Sequence, residues 1–556
     1  MDNRLEIYCK NVDAYIEVEG GEDLLAVSRR MADSLAFRPI CAHVNNRNHA
    51  LSYKVYNPCQ VEFLPVGSPS GTRVYVRSLC MLLYRAVVAV CPGAKIRIEH
   101  SISNGHYCSL HGVAALTDDI ISALKAEMRR MVELDLPIVR EERLTSDVIE
   151  IFRRQGLDDK VALLETTREL YTTYYTLDGV SDSYYGPLAP STGYLEVFDL
   201  LPYKEGFLLL GVDAKNPEST PTPVTQEKMY KAFTDYLAFD RIIGVSNVGG
   251  LNKTVEHRKA PELIYLSEAL HEKAISRISD EITRRYREGG ARIVLISGPS
   301  SSGKTTTTKR LGVQLMTNLL KPQLISLDNY FINREHTPRD ESGDYDYESL
   351  YALDLAQFNA DLNAILRGEE VELPYYNFEL GQRQYRGDRI RLDEGSLLLI
   401  EGIHGLNPEL TAHIPDEMKF RIYVSALTTI SIDDHNWVPT TDNRLLRRII
   451  RDAKYRGTRP EETIRRWASV RRGEEKWIFP YQENADATFN SSLLFELGVM
   501  KDQGEELLRR VPNDVAEYAE AYRLRKFLSY FQSISIASVP STSVIREFLG
   551  GSSFKY

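Results

Sequence analysis

No stretch of the 556 residues holds a run of about 18 apolar side chains, so no membrane-spanning helix is expected. The opening "MDNRLEIYCKNVDAYIEVEG" is acidic and lacks the charged-then-apolar order of a secretory signal. Cysteine is scarce: Cys9, Cys41, Cys59, Cys80, Cys91 and Cys108 all fall in the first 108 residues, and none forms a Cys-x-x-Cys pair. They read as buried thiols in a reducing compartment, which places the protein in the cytoplasm. Positive charge is in deficit. The formal net charge of −10 argues against general nucleic-acid affinity, while leaving room for a local basic patch. Internal repeats, low-complexity tracts and Asn-Lys-x-Asp motifs for reading guanine are all missing.

What is present is enough chain for two to four domains. Residues 1–62 alternate short apolar runs with turns around one helix-like segment, the pattern of a small mixed β domain. A second block runs from 63 to 245. Within it Leu116, Ile120, Leu124 and Met128 recur every four residues behind Thr117, which predicts an amphipathic helix. Residues 246–289 read as a linker helix, with Leu266, Leu270, Ile278 and Ile282 on one side. From 290 to 556, "IVLI", "LISL", "LLLI" and "RIYV" alternate with helical segments, as buried parallel strands of an α/β domain do.

The most specific stretch is "IVLISGPSSSGKTTTTKRL". Gly298 to Thr305 fits G-x-x-x-x-G-K-[ST] between a buried strand and a helix whose Leu311, Leu315 and Leu319 share a face. The glycines let the backbone curl so that N–H groups point at phosphate oxygens, and the helix N-terminus adds partial positive charge. Gly298, Ser300, Ser301, Ser302, Gly303, Lys304, Thr305 and Thr306 are therefore the expected ATP-binding residues. Lys304 would meet the β- and γ-phosphates and Thr305 would ligate Mg²⁺.

Two acids stand where ligands gather in open α/β sheets. Asp328 closes the strand "LISLDNYF" and is placed to accept a hydroxyl proton. Glu401 closes "LLLIEGIHGL" and is a candidate Mg²⁺ partner. In "TDNRLLRRIIRDAKYRGTRP", Arg444, Arg447, Arg448 and Arg451 lie within two turns, with Arg456 and Arg459 beyond. Such a cluster facing phosphate would stabilise charge in the transition state, and Arg447 is assigned that catalytic role beside Lys304 and Asp328.

Together "GPSSSGKTT", "SLDNYF", "DYDYESLYALD", "LPYYNFELGQR", "IEGIHGL" and "DNRLLRRIIRDAKYRGT" resemble, in order, the uridine kinase/phosphoribulokinase family of P-loop kinases. The resemblance covers about residues 290–500. It implies that Asp328 is the general base toward a ribose 5′-hydroxyl and that Thr305 and Glu401 serve Mg²⁺. It places Asp346 and Arg444 on ribose hydroxyls, and Tyr345, Tyr376, Phe378 and Arg383 around the acceptor. Two departures stand out. The histidine that helps to read a pyrimidine is replaced by Gly381, and "SALTTISIDDHNWVPTTDNR" is longer than its usual counterpart.

The first half resembles the N-terminal half of threonyl-tRNA synthetase. Residues 1–62 look like a TGS domain and 63–245 like the editing domain, matched through "RSLCMLLYRAVVAVCPGAKIRIEHSISNGHYCSL" and "SDSYYGPLAPSTGYLEVFDLL". The family's His-x-x-x-His and Cys-x-x-x-His positions read Arg77, Met81, Tyr184 and Leu188. These side chains cannot move protons or polarise water for ester hydrolysis, so a scaffold, sensing, RNA-contacting or dimer-forming role is expected instead.

The expected fold is thus an α/β P-loop kinase domain, a parallel sheet flanked by helices, preceded by a β-grasp domain and an α+β synthetase-editing-like domain. The expected reaction is Mg²⁺-dependent transfer of the ATP γ-phosphate to the 5′-hydroxyl of uridine, cytidine or a related nucleoside. Two alternatives stay open: a phosphoribulokinase-like enzyme for another small hydroxyl compound, and an RNA-binding regulator switched by ATP.

Overall fold

The computed structural model describes residues 3–340 and 343–555; the remaining positions of the predicted first and last domains lie outside the described residues. The first five strands, from Arg4–Cys9 to Gln60–Leu64, form one sheet in which the first and last strands run parallel. The helix Leu24–Arg30 packs on it, its N-terminus capped by Asp23, which accepts from the Ala26 N–H at 2.8 Å. Ile7, Val18, Leu24, Val27 and Phe63 make its core, giving a β-grasp unit. All six cysteines are free thiols.

The next unit is α+β. Its helix Pro69–Val90 is buried on most sides, because Leu79 to Leu83 are apolar or small at every step. A four-stranded sheet and a three-stranded sheet enclose it. The helix Asp118–Glu133 begins at Thr117, whose hydroxyl accepts from the Ile120 N–H.

The 28-residue helix Ala260–Arg287 is not a free linker. Ile275 and Ile282 pack against the sheet that follows. Its buried stripe runs through Ile264, His271, Ile275 and Ile282, so the expected Leu266 faces outward. The stripe lies where the 3.6-residue period meets the sheet, and Leu266 falls on the opposite side of the turn.

That sheet holds five parallel strands, β1 (Ile293–Ser297), β2 (Lys321–Ser326), β3 (Ser396–Glu401), β4 (Lys419–Ser425) and β5 (Ala487–Asn490), in the order β2-β3-β1-β4-β5. β1 is buried along its whole length. Ile293 and Leu295 face one core with Leu398 and Ile400; Val294 and Ile296 face the other with Leu397 and Leu399. Helix α1 (Lys304–Thr317) follows β1 and buries Leu311 and Leu315. It stops before Leu319, which takes a φ of +65° and is exposed rather than continuing the leucine face. Helices α2 (Thr440–Tyr455) and α3 (Pro460–Trp477) follow β4, and their Arg444 and Glu474 meet beside the loop after β1.

Candidate active site

The loop after β1 is shaped by two close approaches. A Cβ on Gly298 would sit 1.9 Å from the Val424 carbonyl oxygen. Gly303 takes a φ of +82°, and a Cβ there would meet Val544 at 2.4 Å. The loop carbonyls all face the protein. Arg444 Nε donates to Ser300 O at 2.9 Å, Arg447 Nη1 to Ser301 O at 3.4 Å, and the Ser491 hydroxyl to Ser302 O. Lys304 Nζ donates to Gly298 O at 2.8 Å and Pro299 O at 3.1 Å. Two of the loop's N–H groups are engaged as well, Ser300 N–H with Glu474 Oε1 at 3.2 Å and Ser302 N–H with Pro299 O at 3.2 Å. The hydroxyl oxygens of Ser301 and Ser302 are buried without a hydrogen-bond partner, as in a cradle fitted to an oxyanion.

Acids surround Lys304. Asp328 lies in the 3₁₀ turn Leu327–Tyr330 just past β2, and Glu401 ends the neighbouring β3, where its carboxylate accepts from the Ser326 hydroxyl at 2.9 Å. Burial and the Asp328 charge push the Glu401 carboxyl up to about 7, against the pull of Lys304. A third acid, Glu348, was not singled out in the sequence. Burial likewise pushes it up to about 7, and one of its oxygens has no partner. Burial pushes the Lys304 ammonium down, opposed by Glu401, Asp328, Glu547 and Glu348. These clustered carboxyls favour a divalent cation. Among the described residues no three His, Cys, Asp or Glu side chains could hold one by themselves. A Mg²⁺ held by Thr305, Glu401 and phosphate oxygens needs no such group.

The arginines of α2 pack toward the protein. Arg444 and Arg447 are almost fully buried and paired, Arg444 with Glu474 and Arg447 with Glu496. Both brace the loop from beneath, through Ser300 O and Ser301 O. Their i, i+3 spacing on α2 points both guanidiniums to the loop side, and the acids of α3 and of Glu496–Arg509 neutralise them. Arg448 reaches the loop's outer edge, donating to the Ser300 hydroxyl at 2.9 Å.

On the acceptor side, Phe331, Tyr376 and Phe378 make a three-ring cluster, with centroids 5.0 to 6.0 Å apart. Tyr376 is buried within it, whereas Phe378 is 53% exposed and offers a face to a ligand. Tyr345 stacks against Arg339, and Asp346 caps the turn to Glu348, accepting from its N–H at 3.1 Å. Arg383 is held by Asp354 at 2.8 Å, which ties the strand pair Val371–Asn377 and Gln382–Ile390 to the start of the helix Leu355–Leu366. Gly381 closes that hairpin at a φ of +69°, and a Cβ there would lie 2.7 Å from Arg334 Nε. Arg334 thus fills the place that a histidine side chain would need. The sequence signal was the missing histidine itself.

Residues 293–493 match the Phosphoribulokinase / Uridine kinase family. The N-terminal region is similar to threonine–tRNA ligases. That of Fusobacterium nucleatum is 28% identical over 179 residues, covering 32% of this chain and 29% of that protein. That of Rubrobacter xylanophilus is 28% identical over 185 residues, covering 33% and 29%. The chain therefore spans less than a third of the length of these relatives. Among solved structures, a "Possible Uridine Kinase" from Bacillus stearothermophilus is 18% identical with a TM-score of 0.26, covering 38% of this chain and 98% of its own. The D-glycerate 3-kinase of Cryptococcus neoformans var. grubii is 14% identical with a TM-score of 0.21, covering 47% and 87%. One chain thus carries an N-terminal region similar to threonine–tRNA ligases and a C-terminal region that matches the Phosphoribulokinase / Uridine kinase family.

Proposed function

We propose that the C-terminal half transfers the γ-phosphate of ATP to a hydroxyl of a small molecule, with Mg²⁺, and that the acceptor is a pyrimidine nucleoside or a close relative. One observation carries this reading: Asp328 and Glu401 end adjacent parallel strands directly beside Lys304 and the phosphate loop. Asp328 is exposed toward the acceptor side and takes the proton of the attacking hydroxyl. Lys304 leaves its carbonyl contacts to neutralise the transferring group, while the loop amides fix its oxygens. Thr305 and Glu401 hold the Mg²⁺ that screens the phosphate charge. The exposed face of Phe378 supports a flat acceptor, and Asp346 stands on the same side for its hydroxyls.

Arg334 favours a second reading. A guanidinium beside Gly381 suits an acceptor bearing a phosphate or carboxylate, such as a sugar phosphate, as well as a pyrimidine carbonyl. The test is ATP consumption by the purified protein with Mg²⁺ across nucleosides, sugar phosphates and bulk tRNA. Turnover with uridine or cytidine supports the first reading and turnover with a sugar phosphate the second. Stimulation by tRNA alone overturns both.

A further inference from the structure

A cavity of about 380 Å³, lined by none of the phosphate-loop residues, lies where three parts of the chain meet. Arg47 comes from the β-grasp unit, Arg73 and Arg77 from the helix Pro69–Val90, and Arg140 from the strand Ile138–Leu144. Arg523 and Lys526 come from the helix Tyr518–Ser529 of the C-terminal half. No aspartate or glutamate lines it. Four of these cations are neutralised from behind: Arg73 by Glu520 at 3.1 Å, Arg140 by Glu142 at 3.1 Å, Arg523 by Asp442 at 2.6 Å, and Lys526 by Glu169 at 2.7 Å. Arg47 and Arg77 have no carboxylate among the described residues.

Arg77 is the informative one. It is only 4% exposed, and its polar contacts are two hydrogen bonds to a single carbonyl, Pro187 O, at 3.1 and 3.3 Å. Taking a guanidinium out of water without a counter-charge is costly unless something anionic comes to it. Burial and the neighbouring Arg73 push its pKa down, as expected of a cation awaiting an anion. The chain also makes room for it: a Cβ on Gly186 would lie 2.6 Å from the guanidinium. Arg47 rests on the Tyr522 ring at 3.9 Å, and Tyr175 and Tyr185 form the apolar walls.

We propose that this cavity is a binding site for a small phosphate monoester, whose oxyanion sits between Arg77 and Arg47 and whose body lies against the tyrosines. Guanidinium forks match phosphate geometry, and the enclosed volume suits a metabolite rather than a polymer. The site is wired to the kinase half. Arg523 holds Asp442 in the first turn of α2, the helix from which Arg444 and Arg447 grip the loop carbonyls. A ligand at the cavity therefore acts on the helix that shapes the phosphate loop, and makes the synthetase-like half the sensor of the enzyme.

The test titrates the full chain by calorimetry with inorganic phosphate, ribose 5-phosphate, uridine 5′-monophosphate and a CCA-ended RNA hairpin. The variants are Lys304→Ala, which disables the phosphate loop, and Arg47→Glu and Arg77→Met in the cavity. At least one of the three small probes should bind with one-to-one stoichiometry. Binding should survive in Lys304→Ala and fall by about tenfold or more in both cavity variants. If Arg77→Met does not fold, Arg47→Glu carries the test, since that side chain lies at the surface. Absence of small-probe binding overturns the proposal. So does binding lost in Lys304→Ala but kept in Arg47→Glu, and so does binding of the RNA hairpin alone. Because the readout is binding, a chain without kinase turnover would leave the result intact.

Discussion

His435 and Asp182 stand 253 residues apart in sequence and meet at 2.8 Å, Nδ1 to Oδ2, with both side chains out of solvent. Lys160 completes the group, with Nζ 2.8 Å from both Asp182 and Asp433. His435 and Asp433 belong to the segment between β4 and α2; Lys160 and Asp182 belong to the synthetase-like half. That segment is thus the weld between the halves. Ile98 N–H donating to Asp434 O at 2.8 Å and Trp437 packing at a tilt against His106 extend it.

The weld should depend on pH from both sides. Burial works to raise the Asp182 pKa, but the charges of Lys160 and His435 win and hold it well below the usual carboxylate range. Its contribution is complete above about pH 4 and fades as pH falls through the depressed value. Burial works to lower the His435 pKa, but Asp182 wins and raises it. That contribution is complete below about pH 6.5 and fades as pH rises through the raised value. Urea midpoints of the full chain should therefore fall on the alkaline side, and His435→Gln should remove that fall. An unchanged alkaline limb in the variant would detach His435 from the effect. Lys160→Met, which leaves the buried Asp433 without its cation and Asp182 with His435 alone, should cost about 3–5 kcal/mol.

If the proposed base role of Asp328 holds, Asp328→Asn should lower the rate of phosphoryl transfer by about 10²- to 10⁴-fold while ATP binding changes little. Single-turnover rates and equilibrium ATP binding separate the two. Equal loss in both would make Asp328 a structural acid.

Glu496→Gln should raise the KM for ATP more than it lowers kcat. It weakens the hold on Arg447, which braces the Ser301 and Ser491 carbonyls. Arg447→Lys keeps the charge but loses the fork and should behave the same way. A variant that loses kcat at unchanged KM would return Arg447 to the transition state.

The sequence made the phosphate loop legible because strand, glycines, lysine and helix are contiguous. The parallel sheet was legible because strands buried on both faces read as unbroken apolar runs. What was not legible is what long-range packing decides. The same arginine-rich helix can face a phosphate or a carboxylate, and only the positions of Glu474 and Glu496 show that Arg444 and Arg447 turn inward. Glu348, Arg334 and the Arg77 cavity are likewise assembled from distant segments. Leu319 and Leu266 were misassigned because a heptad-like spacing does not say where a helix stops or which side meets the sheet.

Glu547 offers the last prediction. Its carboxylate accepts from the Thr306 N–H at 3.2 Å and from the Thr306 hydroxyl at 2.7 Å, at the N-terminus of α1. This is the end of a helix that attracts anions, and the residue belongs to the set expected to hold ATP phosphate. A bound nucleotide competes with the carboxylate for the same N–H and suffers its negative charge. Glu547→Gln keeps the shape and removes the charge, so ATP should bind about three- to tenfold more tightly, with the gain shrinking at high salt. Glu547→Ala should bind at least as well as Glu547→Gln if competition is the cause. Were Glu547 instead a brace for α1, both variants would melt at lower temperature and bind ATP no better than the parent. ATP titrations at two salt concentrations, paired with thermal unfolding, distinguish a displaced plug from a lost cap.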